Sequence, residues 1–90
     1  MADNIQAILF NKDYWNTNEA RTYLKKSNKK PIKRVHTTDT YHRYRLIEPD
    51  YDNYRYIFKK GNNNIDYISF VSITLKVFNR ILFFNIVGIL

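Results

Sequence analysis

The 90-residue sequence contains no cysteine and only two glycines and two prolines. The absence of cysteine excludes disulfide bonds and cysteine-ligated zinc, and it is typical of proteins from a reducing compartment. With so few glycines, the chain has no glycine-rich loop of the kind that cradles phosphates. It shows no Ser-His nucleophile pairing and no paired catalytic carboxylates. We therefore expect a protein that is not an enzyme and that binds no cofactor.

Acidic residues are also scarce, since eight Asp and Glu stand against 15 Lys and Arg and give a formal charge of +7. Such a charge on a small domain favours polyanionic partners: nucleic acid, an anionic membrane surface or an acidic protein. The 15 aromatic residues, eight Tyr, six Phe and one Trp, exceed what a disordered basic tail carries, so we expect the chain to fold. The first ten residues have no basic stretch and no long apolar run, so they do not predict a signal peptide.

The residue patterns predict an α+β fold. The apolar run at 5–10 is typical of a buried strand. Asn16 followed by Glu19 is a capping box, and Pro31 cannot continue a helix, so we predict a helix over about 17–28. Its apolar stripe should pack on the sheet face that bears Tyr44 and Leu46; the stripe consists of Trp15, Ala20, Tyr23 and Leu24.

Four further strands are predicted at 32–38, 41–47, 54–59 and 65–70. The order β-α-β-β-β-β predicts a small, mostly antiparallel sheet with one helix packed on a face, within a domain of residues 1–70. Between the last two strands, Gly61 and the asparagines after it predict a turn, since these residues tolerate positive φ at low cost.

Residues 71–90 form an apolar C-terminal tail whose only charges are Lys76 and Arg80. Those two cations make a membrane span possible but not favoured. A polar stripe at helical spacing suggests an amphipathic helix packed on the sheet, on a partner or on a membrane surface. The β-branched content leaves an extra strand open, and a homo-oligomer through 71–90 is a further possibility. The stripe consists of Ser69, Ser72, Lys76, Asn79 and Arg80.

The candidate binding residues are cations in two places. Seven of the 15 lie within residues 21–34, as expected of a surface that follows phosphates. The stretch "TYHRYRLIEP" alternates so that arginines share one strand face with a tyrosine, a combination suited to phosphate contact and base stacking. A solvated helix end and a solvated sheet face are the alternatives. The candidate binding residues are Arg21, Lys25, Lys26, Lys29, Lys30, Lys33, Arg34, Tyr41, Arg43, Arg45 and Arg55. We predict that seven of them form one continuous positive surface: Lys25, Lys26, Lys29, Lys30, Lys33, Arg43 and Arg45.

Two smaller groups do not predict a metal site. His36 and His42 lie on adjacent predicted strands, but no third ligand stands at metal spacing. The acidic segment 48–52 lacks the glycine and the register of a calcium loop, so turn formation explains it better.

Three stretches, "IQAILFNKDYW", "EARTYLKKSNKKPIKRVHTTDTYHRYR" and "EPDYDNYRYI", together resemble a small domain of tailed-phage proteins. That domain often lies beside or is fused to the head-maturation protease, and it also recurs in proteins of large DNA viruses. The resemblance covers about residues 5–70, so the tail lies outside it. The matching positions are Ile5 to Phe10, Lys12, Asp13, Trp15, Glu19, Ala20, Leu24, Lys25, Lys26, Val35, His36, Tyr41, Arg43, Tyr44, Arg45, Pro49, Tyr54, Arg55 and Gly61.

The resemblance implies a viral origin and therefore a place in the host cytoplasm or nucleus, or in the virion, without secretion. It brings no protease activity, because no protease domain is present. Together with the charge, it predicts a small viral accessory protein that binds DNA or RNA without sequence specificity. The alternative is a virion or assembly component whose basic face meets an acidic viral protein.

Overall fold

The computed structural model describes residues 4–73. The elements are β1 (Ile5–Asn11), α1 (Thr17–Lys26), β2 (His36–Thr37), β3 (Tyr41–Arg45), β4 (Tyr54–Lys59) and β5 (Ile65–Ser72). The five strands form one sheet in the order β2-β3-β1-β5-β4, and each neighbouring pair is antiparallel. The predicted α+β fold, with its β-α-β-β-β-β order, is confirmed.

Strand β1 lies at the centre of the sheet and is buried over five consecutive residues, Gln6 to Phe10. Ile8 is opposite Tyr44 of β3 and Tyr67 of β5. A bulge between Ile5 and Ala7 shifts the register with β5. A strand paired on both sides and buried on both faces has few polar residues, which explains the apolar run in the sequence.

Helix α1 begins as its sequence predicts. The Asn16 side chain accepts a hydrogen bond from the Glu19 backbone N–H (2.8 Å), and the Glu19 carboxylate accepts one from the Asn16 N–H (3.0 Å). This capping box satisfies two backbone donors that the first helical turn leaves unpaired. The helix ends at Lys26, two residues before the predicted end.

One face of the sheet and the helix enclose the core. Ile8, Phe10, Tyr44 and Ile65 of the sheet contact Ala20 and Leu24 of α1, and the six are almost fully buried. Trp15 and Tyr23 stand edge-to-face against the Phe10 ring, with ring centroids 5.2 and 5.8 Å away. The predicted contact between the helix stripe and the Tyr44–Leu46 face of the sheet is confirmed.

The boundaries of four strands differ from the prediction: β1 extends to Asn11, β2 is shorter, β3 ends at Arg45 instead of residue 47, and β5 extends to Ser72. Strand β2 has two residues rather than seven, and outside the β2–β3 ladder the Ile32 N–H donates to the Arg45 carbonyl. Strand β5 continues to Ser72, so a helix through Ser69 and Ser72 is wrong for those residues. The rest of the predicted polar stripe, and residues 74–90 of the tail, lie outside the described residues.

The turn between β4 and β5 uses its asparagines and its glycine differently. Asn63 and Asn64 have φ of 59° each, as expected, but Gly61 does not have positive φ. A Cβ at Gly61 would instead collide with the Ile65 carbonyl oxygen. The glycine is required by close packing rather than by backbone conformation.

Leu24 is 2 % exposed and lies between α1 and the sheet. We predict that Leu24→Ala lowers the free energy of unfolding by about 2–5 kcal/mol, through lost burial and the cavity that remains. Urea unfolding followed by the fluorescence of Trp15 measures this. Ile32→Ala is the control, because Ile32 is 48 % exposed and its truncation should change stability by about 0.5 kcal/mol or less. Equal stability of the two variants would place Leu24 outside the core.

Candidate functional site

A cavity of about 660 Å³ lies between the C-terminal half of α1, the loop that follows it and Tyr44 of β3. Its floor is apolar and consists of Leu24, Pro31, Val35 and the Tyr44 ring. Its rim carries six of the eleven predicted binding residues. We call these the rim cations: Arg21, Lys25, Lys29, Lys30, Lys33 and Arg34.

The reversal of the chain after α1 creates this cavity. The Asn28 N–H donates to the Lys25 carbonyl (3.1 Å), and the Lys29 N–H donates to the Leu24 carbonyl (2.9 Å). With φ of 57° at Asn28, these bonds form a Schellman motif, in which a left-handed residue ends the helix and turns the chain. Asparagine tolerates this conformation better than other residues with a side chain. The turn brings residues 29–35 back beside the last turns of α1.

Two contacts attach the returning loop to the sheet. The Ile32 N–H donates to the Arg45 carbonyl at 2.9 Å. The Lys33 ammonium lies 2.6 Å from the Glu48 carboxylate, and both side chains are about half exposed. An ion pair this exposed contributes about 0–1 kcal/mol, so Lys33 can exchange its partner for another anion.

The charge of a rim cation affects the pKa of the tyrosine in the cavity floor. Burial raises the pKa of the Tyr44 hydroxyl above its ordinary value, and the positive charge of Arg21 partly opposes that rise. The Arg21 guanidinium is itself held by the Asn18 side chain, to which its Nη2 donates at 2.7 Å. Arg21 is thus positioned on the helix surface at the edge of the cavity.

The other predicted residues lie elsewhere. Lys26 is on the opposite flank of α1, along a shallow groove that Trp15 and Tyr23 also line. Arg43 and Arg45 alternate with Tyr44 along β3, so they lie on the face of the sheet turned away from α1. The eleven residues are therefore distributed over separate places rather than gathered around one centre.

The strand arginines are partly buried. The Nε atoms of Arg43 and Arg45 are buried and have no hydrogen-bond partner within residues 4–73. The Nη2 atom of Arg43 donates to the Gln6 side-chain oxygen at 3.2 Å. These side chains lie against the sheet rather than extending into solvent, so they are less suited to phosphate contact than the rim cations.

Tyr41 is part of a buried polar network on that same face. Its hydroxyl donates to Asp66 Oδ2 at 2.6 Å, and the Gly61 N–H donates to Asp66 Oδ1 at 3.0 Å. Asp66 is only 6 % exposed. The hydrogen bond to Asp66, with burial and the carboxylate charge adding to it, raises the pKa of Tyr41 above its ordinary value. The Tyr41 hydroxyl thus makes a structural hydrogen bond.

The remaining candidates are separate from the cavity. Arg55 is exposed on β4, at the far edge of the sheet from β2. His42 is beside Thr37, whose hydroxyl oxygen lies 3.0 Å from His42 Nδ1, while His36 is opposite Arg43 on the other face. Within residues 4–73 no group of three or more His, Asp or Glu is placed to hold a metal ion.

The acidic segment forms a turn, as its composition predicts. Asp50 Oδ1 accepts from the Asp52 N–H, and Asp50 Oδ2 accepts from the Asn53 side chain. Among the described residues, no helix is long and apolar enough to cross a bilayer.

Sequence reasoning missed the residues that shape the cavity. Pro31 and Val35 were not recognised as its floor, and Asn28 was not recognised as the turn residue. An asparagine just after a helix, with a proline three residues later, is a known signal for this kind of ending. The packing of Val35 against the core has no comparable local signal.

Comparison of the chain with protein-family models, with curated proteins and with solved structures finds no match. The candidate site therefore rests on the geometry and charge of the residues themselves.

We predict that Asn28→Val destabilises the protein by about 1–2 kcal/mol relative to Asn28→Gly, because a residue with a bulky β-branched side chain is strained at positive φ. Chemical denaturation of both variants measures the difference. Asn28→Gly is the matched control and should be as stable as the wild type. Equal stability of the valine and glycine variants would show that the Schellman turn does not hold the loop in place.

We predict that Tyr41→Phe lowers the free energy of unfolding at pH 8 by about 1–3 kcal/mol, because it leaves a buried carboxylate oxygen without its donor. The folded state raises the Tyr41 pKa, so the hydroxyl's contribution is complete below about pH 10, the unfolded value, and is lost as the pH rises above it. Urea unfolding at pH 8 and at pH 10.5 tests both statements.

The variant should lose less stability between the two pH values than the wild type, with the raised Tyr44 pKa accounting for part of what remains. Tyr51→Phe, at a side chain 71 % exposed, is the control and should keep wild-type stability at pH 8. An unchanged stability of Tyr41→Phe at both pH values would contradict the role given to the Tyr41–Asp66 bond.

Proposed function

We propose that this protein binds nucleic acid without sequence specificity through the rim cations. The observation that carries the proposal is that six positively charged side chains from α1 and the following loop surround one cavity. A cluster of this kind attracts a phosphate backbone at long range and releases counterions on contact. The resemblance of residues 5–70 to a domain of phages and large DNA viruses supports the further proposal that the protein is a viral accessory protein.

The composition of the rim favours contact with the backbone over base recognition. Four of the six rim cations are lysines. Lysine presents a flexible point charge, whereas base recognition commonly uses a planar arginine that donates two hydrogen bonds to guanine. We infer that the rim binds DNA or RNA of any sequence with comparable affinity.

An acidic protein is the other candidate partner for the same charges. It would be a neighbour in a virion or an assembly intermediate and would need no base to bind. Binding of a polyglutamate peptide with a matched number of charges separates the two candidates.

We predict that the logarithm of the affinity for an oligonucleotide falls linearly with the logarithm of salt concentration. If four to six cations contact phosphates, the slope should be about −3 to −5, at about 0.7–0.9 per phosphate. In Lys25→Gln/Lys30→Gln the slope should be less steep by about one to two, to the same extent for different base sequences. Fluorescence anisotropy at several salt concentrations measures the slope.

The control is Lys59→Gln/Lys60→Gln, which removes the same charge at the end of β4, at the far edge of the sheet. It should keep nearly the wild-type slope. Equal losses in the two double variants would mean that the net charge, not the rim, determines binding. Absence of binding at low salt, or tighter binding of polyglutamate than of the oligonucleotide, would refute the proposal in favour of the acidic partner.

A further inference from the structure

The cavity combines two surfaces that a phosphate backbone alone would not use together. Its rim is cationic, but its floor is made of Leu24, Pro31, Val35 and the Tyr44 ring. Leu24 and Tyr44 are almost fully buried, while Pro31 and Val35 are partly exposed. A bare phosphate would satisfy the rim and leave Pro31 and Val35, the exposed part of the floor, in contact with water. The complementary ligand therefore has an anionic part and a flat or apolar part.

The size of the cavity fits such a ligand. Pockets that enclose small organic molecules have volumes of about 300–1,000 Å³, and this cavity has about 660 Å³. A nucleobase with its sugar falls within that size class, and it carries phosphates on both sides. Those phosphates would then lie at the level of the rim cations.

Duplex and single-stranded nucleic acids differ in what they can offer this cavity. In a duplex the bases are stacked and paired, and extruding one costs a few kcal/mol. In a single strand the bases can unstack and present a face to an apolar surface. A duplex can thus reach the rim alone, whereas a single strand can reach the rim and the floor.

We propose that the cavity takes up one unstacked base of a single-stranded nucleic acid while the rim cations hold the neighbouring phosphates. This inference rests on the proposed function and adds the class of nucleic acid and the location of the base. The floor selects for a base of any identity, because its apolar side chains offer contact rather than a pattern of hydrogen bonds. The protein therefore prefers single strands without preferring a sequence.

The test compares three ligands of about ten nucleotides, a length within the usual range of single-strand sites. They are a thymidine strand, a strand of the same length and charge made entirely of abasic sites, and a duplex. We expect the thymidine strand to bind at least about fivefold more tightly than the abasic strand, since a base that covers Pro31 and Val35 removes apolar surface from water. The salt slopes of the two strands should be equal because their phosphates are the same.

A variant of the floor locates the effect. Val35→Ala removes apolar contact from the floor without changing charge, and it should reduce the advantage of the thymidine strand over the abasic strand about threefold or more. Ile32→Ala is the matched control, because Ile32 belongs to the same loop, is 48 % exposed and does not line the cavity. It should leave the advantage unchanged. The fluorescence of Trp15 checks that both variants are folded.

The outcomes separate this inference from the proposed function. If all three ligands bind equally and with a steep salt slope, the rim binds nucleic acid but the cavity takes no base, and only this inference is overturned. If the thymidine strand binds best but Val35→Ala and Ile32→Ala behave alike, the base lies elsewhere and the inference is also overturned. The comparison of ligands with the wild-type protein does not depend on the folding of any variant. Absence of binding by every ligand at low salt overturns the proposed function itself.

Discussion

The burial of strand β1 on both of its faces is the constraint on which the rest of the structure depends. It is paired with β3 on one side and with β5 on the other. Five consecutive residues of it are buried, including the polar Gln6. A buried amide must find hydrogen-bond partners, and Gln6 does so by donating to the Ile47 carbonyl and accepting from Arg43. The Gln6 side chain therefore links Arg43 of β3 to Ile47 in the segment that follows β3.

The cavity arises from the way α1 covers the face of the sheet that bears Ile8 and Phe10. The helix is anchored by Ala20 and Leu24 above Ile8 and Phe10, and it ends at Lys26. Lysines near a helix C-terminus are favourable because they oppose the partial negative charge there. The Schellman turn then directs the next lysines back toward the helix, so a group of residues that stabilises the helix end also becomes the rim. The stability of the helix and the charge of the site have a common origin.

Much of the fold could be predicted because its signals are local. The capping box of Asn16 and Glu19, the alternation in β3 and β4, and the asparagines of the last turn each depend on neighbouring residues. The order of the strands in the sheet could not be predicted in the same way, since the pairing of β1 with β5 joins residues about 60 positions apart in the sequence. Gly61 shows the same limit: its close contact with the Ile65 carbonyl is visible only in the folded hairpin.

The candidate site was predicted in composition but not in arrangement. The run of cations at 21–34 was recognised, and six of its seven members surround the cavity. Arg43 and Arg45 were grouped with them, although the same alternation that placed Tyr44 in the core implies that its neighbours in the strand face the other way. The apolar floor was missed because Pro31 and Val35 acquire that role only when the loop turns back over the helix end.

Three of the acidic side chains are engaged in the local structure of the protein. Glu19 is held by the helix cap, Asp50 by its turn and Asp66 by Tyr41 and Gly61. Each of these carboxylates is directed into local structure, away from the cavity. Glu48 does reach the rim, but its pair with Lys33 is solvent-exposed and therefore weak. The fold thus uses three of the seven carboxylates within residues 4–73 in a helix cap, a turn and a hydrogen bond to Tyr41, and none of the three lines the cavity. Because the Lys33–Glu48 pair is exposed, an anionic partner of the kind proposed above would displace Glu48 from Lys33 at small cost.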